Sequence, residues 1–424
     1  MSEWLKLLRR SGPAIIVAAV VLGPGSIVTA SKVGCEFGYQ LLWLLPFAIA
    51  MMVSMTLTAM AVGTTQDQTP CQAVAQAFGR PMAWLVGIAM AIAVTLFQAS
   101  NNNALLMAAE GFVGPLDSRP IPTPVAIAVR TGVPLLFNGF VIALLWASRR
   151  EMYQIIERAM GWLVATMVLA FAVNLYFAKP SFAALLRGFI PSIPTVDSGE
   201  QASTSWMTAG AMIATTFSVA AAFYQSYQVR EKGWRKSELK LGTFDTLLGI
   251  CSLGLITMMI LVTAAAALHG KVATSTLTDA AAVARALEPS FGSWARYIFA
   301  MGVLAGAVSS FVVNALIGAV VFCDALGAST KLADRPVRRA TVAMLLIGWI
   351  VSAVGVMTGI PLADFIVVAQ ALTVFAFPIL GATIIWQASR IERGTLPFWV
   401  MPLNYIGLLT TVLLSLRTLA KLFG

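Results

Sequence analysis

Leu22-Gly23-Pro24-Gly25-Ser26-Ile27 interrupts an apolar stretch that otherwise runs from Pro13 to Val33. Neither Pro13 to Leu22 nor Ile27 to Gly34 can alone cross a hydrocarbon core of about 30 Å, which takes about 20 helical residues. Backbone freed at that depth is tolerated only where it lines a cavity or is buried in protein. Interrupted helices of this kind form the midplane sites of secondary transporters. The first half-helix ends in free carbonyls, which attract cations; the second begins with free N–H groups, which attract anions. Gly23, Pro24, Gly25 and Ser26 are therefore candidate substrate-binding residues, and the Ser26 hydroxyl is placed to cap the second half-helix. The alternative is a proline-kinked helix whose freed groups are satisfied by neighbours.

Composition sets the class. Of 424 residues, 59% are hydrophobic and 11% charged, with mean hydropathy +0.85. These values lie far from soluble averages and imply an all-α integral membrane protein. The net charge of +10 comes from Lys and Arg in short loops between apolar spans, which is a membrane-orientation signal and not a nucleic-acid-binding surface. Lys6, Arg9 and Arg10 ahead of an apolar stretch resemble the start of a signal peptide. The stretch runs on to Lys32 without a convincing small-residue cleavage site, so a first membrane span is expected instead. Cys35, Cys71, Cys251 and Cys323 form no CxxC pair and read as small hydrophobes.

Eleven spans of suitable length occur, at about 13–33, 40–62, 82–108, 125–147, 158–178, 206–228, 243–268, 294–322, 340–359, 363–388 and 397–420. With the N-terminus inside, the cytoplasmic segments hold 18 of the 28 Lys and Arg, which predicts a cytoplasmic N-terminus and an outer C-terminus. A cytoplasmic segment, 1–12, precedes five spans over 13–178. Five more fill 206–389, and 397–420 is an additional helix. An odd-numbered unit used twice is inserted upside down the second time, which gives a 5+5 inverted repeat with its site where the first helices of the halves meet. No repeat is visible in residue identity; the reading rests on hydropathy spacing.

The first helix of the second half holds Gly210, Thr215, Thr216 and Ser218 among small residues, with no proline or glycine after Gly210. That pattern suits a binding wall and a close-packing surface equally. Gln98, Ser100, Asn101, Asn102 and Asn103 in the third span, and Gln370 and Thr373 in the tenth, suggest a wet path or interhelical hydrogen bonds. For the Asn run, an interfacial helix end is the expectation. Acidic residues within or near spans are limited to Asp245, Glu110, Asp324 and Asp364. Asp245, near the start of the seventh span, is either a helix-terminus partner or a proton relay. His269, the single histidine, reads as a loop residue.

Gly23-Pro24-Gly25-Ser26-Ile27-Val28-Thr29-Ala30, followed by Phe37-Gly38-Tyr39-Gln40-Leu41-Leu42-Trp43, resembles the first-helix signature of the NRAMP divalent-metal transporters, DPGN and then FGY-x-LLW. Leu304-Ala305-Gly306 with Ser309-Ser310 resembles that family's LAAGQSS segment. Ala369-Gln370-Ala371-Leu372-Thr373 with Phe377-Pro378 resembles its SQ-x-x-L-S and LPF. The likeness covers most of 13–390 and implies a LeuT-like 5+5 inverted repeat with broken first helices plus an eleventh helix. It also implies metal transport by alternating access, as a symporter in a bacterial inner membrane.

The departures fall on the family's ligands. Its first-helix aspartate and asparagine align with Gly23 and Ser26, its sixth-helix Met-Pro-His with Ser218-Val219-Ala220, and a second histidine with Gln225. If a metal of the Mg, Mn or Fe class is the substrate, Gly23, Ser26, Ser218 and Gln370 would supply neutral oxygens, with Thr215 also in the binding wall. Ion coupling would fall to Asp245 and Gln225. Such donors suit hard, partly hydrated ions better than soft ones. NRAMP-related magnesium transporters also lack the soft ligand, yet they are expected to keep an acidic first-helix residue. The rival expectations are a carrier of a small organic or anionic solute, cradled by the N–H groups after Gly25, and a non-transporting membrane sensor. No nucleophile–base pair points to an enzyme, no cofactor is implied, and oligomeric state is left open.

Overall fold

Pro13 opens the first helix, α1 (Pro13–Val21), where its missing N–H and preset φ suit the first helical position. The computed structural model describes residues 12–113, 122–147, 152–192, 210–274, 277 and 294–423, and every element in them is helical. On either side of Pro13, the N–H groups of Gly12 and Ala14 donate to the two carboxylate oxygens of Asp245, at 2.7 and 2.9 Å. Asp245 is thus a helix-terminus partner of α1, the first of its two expected roles.

The chain leaves α1 at Leu22, whose N–H closes on Ala18 O at 2.9 Å. Gly23 is extended, and Pro24 starts α2 (Pro24–Phe37) at an angle of 53° to α1. Next come α3 (Leu44–Thr65), α4 (Pro70–Phe78) and α5 (Arg80–Val113), then α6 (Thr123–Ala147), α7 (Met152–Ala178) and α8 (Phe182–Gly188). A second break follows. Residues 210–216 are helical, Phe217 and Ser218 are not, and α9 (Val219–Glu231) resumes. No local breaker causes this. The Phe217 ring is buried against α15, where a Cβ on Gly407 would stand 2.7 Å from its Cζ. The chain continues through α10 (Leu239–Leu268), α11 (Ala295–Ala325) and α12 (Arg335–Met357) to α13 (Leu362–Leu372), α14 (Phe377–Ala388) and α15 (Val400–Phe423).

Eight of the described helices are long and apolar enough to cross a membrane singly, and two bent pairs raise the number to ten. These ten match the expected spans other than 206–228, part of which lies outside the described residues; its described part is the pair formed by 210–216 and α9.

The most extensive helix–helix contact joins α5 to α11, and α10 lies along both halves of the broken first helix. Two glycines permit that approach. A Cβ on Gly249 would stand 2.6 Å from Ala14 O of α1, and one on Gly34 of α2 would stand 2.4 Å from Leu261 O of α10. Lys32 of α2, nearly buried, forms an ion pair with Asp364 of α13 at 2.5 Å. Near the far end of α9, Arg230 donates to the carbonyls of Gln66, Asp67 and Gln68 just beyond α3. Close by, buried Asp324 of α11 accepts from Thr69 Oγ1 (2.6 Å), Cys71 N (3.0 Å) and Tyr227 OH (2.7 Å).

Replacing the carboxylate that holds α1 tests this arrangement. Asp245→Leu strands two buried N–H groups and is expected to cost about 2–3 kcal/mol, read as a lower Tm of the purified protein in detergent. An unchanged Tm would show that the cap is dispensable.

Candidate substrate-binding site

The two breaks face each other across a small cavity, with about 10 Å³ open to the centre of a water-sized sphere, room for about one water. Gly23, Gly25 and Ser26 line it from the first break, and Thr215 and Ser218 from the second. Asn101 of α5 and Ser310 and Asn314 of α11 complete its polar wall, with Val20, Val21 and Phe97 as the apolar part. No lining residue carries a charge, and among the described residues no three His, Cys, Asp or Glu come together.

The carbonyls released at the end of α1 already have partners. Ser309 Oγ donates to Ala19 O at 2.9 Å, Ser310 Oγ to Val20 O at 2.6 Å, and Ser26 Oγ to Val21 O at 2.5 Å. Ser26 therefore reaches back to α1 and does not cap α2, which corrects the expectation from its position. Each of these oxygens keeps one lone pair, so its pull on a cation is reduced. The breaks are also tied to each other: Thr29 Oγ1 lies 3.3 Å from Thr215 Oγ1, and Ser26 Oγ is 3.5 Å from Thr215 O. Gly23 leaves no room for a side chain, because a Cβ there would stand 2.4 Å from Ser310 Oγ.

On the opposite wall, Ser218 precedes α9 without a side-chain capping bond, leaving its hydroxyl to the cavity. Asn101 Nδ2 donates to Gln98 Oε1 at 3.0 Å, which leaves its carbonyl oxygen for the cavity. The run from Asn101 to Asn103 is not an interfacial helix end, as expected, but lies fully buried within α5. Asn138 of α6 donates to Asn102 Oδ1 at 2.8 Å, and Ser352 of α12 to Asn103 Oδ1 at 2.7 Å. Neighbouring helices thus meet much of the cost of burying these amides.

Five of the expected binding residues, Gly23, Gly25, Ser26, Thr215 and Ser218, come together here. Pro24 shapes the turn without lining the cavity. Gln370 lies on α13, but its side chain falls outside what is described. Gln225 is buried in α9 with both amide atoms unpartnered, and neither it nor Asp245 lines the cavity. Asn101, Ser310 and Asn314 were not among the expected binding residues. The Asn run and the Ser309-Ser310 pair were visible signals, whereas Asn314 stands alone in an apolar helix.

Residues 14–421 match the Nramp family, described as natural resistance-associated macrophage protein-like. This chain belongs to the Nramp family. A divalent metal cation transporter, MntH, of Klebsiella pneumoniae strain 342 is 27% identical over 311 residues, 73% of this chain and 70% of that protein. Its counterpart in Klebsiella pneumoniae subsp. pneumoniae is 26% identical over the same length. Among solved structures, the manganese transporter of Eremococcus coleocola bound to an aromatic bis-isothiourea compound superposes with a TM-score of 0.80 at 18% identity, covering 99% of this chain and 88% of that one. A variant of that transporter gives 0.78 at 17% identity, with the same coverage. The Nramp member described here is an all-α integral membrane protein of the LeuT-like fold.

The serine contacts separate structure from binding. Ser310→Ala deprives Val20 O of its donor and is expected to cost about 1 kcal/mol of stability. Ser218→Ala removes an uncommitted hydroxyl and should leave Tm unchanged within about 0.5 kcal/mol while weakening whatever the cavity binds. Thermal unfolding of both variants checks the contrast; equal losses would show that Ser218 is structural.

Proposed function

We propose that this Nramp member is a secondary transporter that moves a divalent metal cation by alternating access, with the ion held between the two helix breaks while part of its water shell remains. The observation that carries this reading is the cavity itself. In a chain of this family, the meeting point of the two breaks is walled by the neutral oxygens of Ser26, Asn101, Thr215, Ser218 and Asn314 and by no carboxylate, thioether or imidazole. Neutral hard donors do not exploit the softness of Mn²⁺, Fe²⁺ or Cd²⁺, whereas Mg²⁺ keeps several waters in most sites. The repeats 13–178 and 206–389 would each supply one of the two broken helices at the site, with 397–420 outside them. The protein would sit in a bacterial inner membrane, N-terminus cytoplasmic and C-terminus outside.

Calorimetry and uptake into proteoliposomes test the reading. Binding is expected to be weak, with Cd²⁺ no tighter than Mg²⁺ or Ca²⁺. Restoring family ligands with Gly23→Asp, Ser26→Asn and Ser218→Met should raise Cd²⁺ and Mn²⁺ affinity at least tenfold. Ser310→Ala is needed in the same variant, because Gly23 abuts the Ser310 hydroxyl. Tight Cd²⁺ binding by the unmodified chain would mean that the ion sits elsewhere.

One observation favours a second reading, a small organic or anionic solute. The α1 carbonyls are already hydrogen-bonded, while the carboxamides of Asn101 and Asn314 and the hydroxyl of Ser218 still face the cavity. Inhibition of transport by small carboxylates but not by Mg²⁺ would establish it.

Coupling is the remaining part of the proposal. None of the cavity-lining side chains titrates near neutral pH, and Asp245 is committed to α1. Uptake is therefore expected to change less than about twofold when a pH gradient is imposed. Strong proton-driven uptake that persists in Asp245→Asn would overturn this.

A further inference from the structure

Helix α9 packs against α1 from the cavity to the far end of α9. At its start, Ser218 lines the cavity together with Val20 and Val21 of α1. At its end, Lys232 reaches the opening of α1, where a Cβ on Gly12 would stand 2.7 Å from Lys232 Nζ. Seven residues make almost two helical turns, so positions seven apart share a face to within about 20°. Gln225 stands seven residues from both Ser218 and Lys232 and therefore lies on the seam with α1. Gln228, three residues beyond Gln225 and four before Lys232, adjoins it on that face.

Both glutamines are buried, Gln225 at 0% and Gln228 at 2% exposure. Neither amide atom of Gln225 has a hydrogen-bond partner, and Gln228 Oε1 has none either. Helix α1 offers no remedy, because Pro13–Val21 carries no polar side chain. Gln387 of α14, equally buried, shows the ordinary solution: its amide donates to Pro70 O at 3.0 Å. An amide buried without a partner is costly, and the cost vanishes when water reaches it. An equilibrium between two conformations shifts toward the one that relieves such a penalty. At 1.5 Å per residue, Gln225 lies about 10 Å and Gln228 about 15 Å along α9 from Ser218. We propose that Gln225 and Gln228 bias the α1–α9 seam toward parting. Unpartnered, they destabilise the closed seam; parting hydrates them and opens the cavity toward the Lys232 end, the side assigned above to the cytoplasm.

This inference rests on the alternating-access part of the proposed function and not on the cargo. It is tested on the purified full chain with a small charged thiol reagent and no substrate. Cys251, the one exposed cysteine of the four, is first replaced by serine. Ala221→Cys, on the seam between Ser218 and Gln225, should react, whereas Ala220→Cys, on the opposite side of α9, should stay unreacted over the same time. Gln225→Met with Gln228→Met keeps side-chain length without the amides and should slow the Ala221→Cys reaction at least about fivefold. Gln225→Glu should speed it, since a buried charge gains more from water than an amide does. Equal labelling at Ala221→Cys and Ala220→Cys, a comparison that needs no glutamine variant to fold, would show that the seam does not part. Unchanged or faster labelling in the methionine variant would show that the glutamines do not drive it. Either result overturns the proposal. Divalent-metal uptake is scored separately in the same preparation, and its absence beside the expected labelling would overturn the cargo and support the seam.

Discussion

Backbone polar groups released inside a bilayer must find partners within the protein, because no water is there to take them. The Gly23-Pro24-Gly25 break releases them, and the surrounding architecture answers. Three serine hydroxyls, from Ser309, Ser310 and Ser26, take the carbonyls of Ala19, Val20 and Val21 in order. Two of them come from α11, so satisfying the break also fastens the first helix to the other repeat. The same requirement explains Gly23 itself: the hydroxyl that protects Val20 O occupies the space a side chain would need. The cost is borne at the site. Oxygens that in an open break would all turn to a cation are here half-engaged, and the uncommitted polar atoms that line the cavity belong to Asn and Ser side chains across it.

The first break was legible because its cause is local: proline lacks a donor, and glycines on both sides loosen the chain. The second was expected only from the family resemblance, because Phe217 and Ser218 contain no breaker; the Phe217 ring at the break is seated on Gly407, some 190 residues later. Asn101 to Asn103 were misplaced for a related reason. Hydropathy along one helix says nothing about Asn138 and Ser352 on its neighbours, whose hydrogen bonds make amides tolerable at that depth. Asp245 shows the limit from the other side. Its identity and position suited either a relay or a helix cap, and the cap became visible only with the N–H groups of Gly12 and Ala14 that it accepts.

The elements that touch the broken helix divide the work of holding it. Asp245 and Gly249 bring α10 against α1, while Gly34 brings the same helix against α2. Helix α10 thus spans the break as a splint, in contact with both halves through backbone-close surfaces that tolerate no added side chain. Around Arg230 and Asp324, a second set of polar contacts gathers α3, α4, α9 and α11 at one end of the bundle. Any motion that opens the cavity on that side must break these together or carry them as one body.

Electrical neutrality of the cavity has its own consequence. With no fixed charge among its lining residues, the empty cavity itself would carry no charge across the membrane field if its access changed sides. A transmembrane potential would therefore find nothing in the empty cavity to act on. A bound dication would cross with its full charge, at roughly 4.6 kcal/mol per 100 mV, twice the value for one elementary charge. At this site voltage would then act on the loaded cavity and not on the empty one, pulling cations in the direction of the negative side.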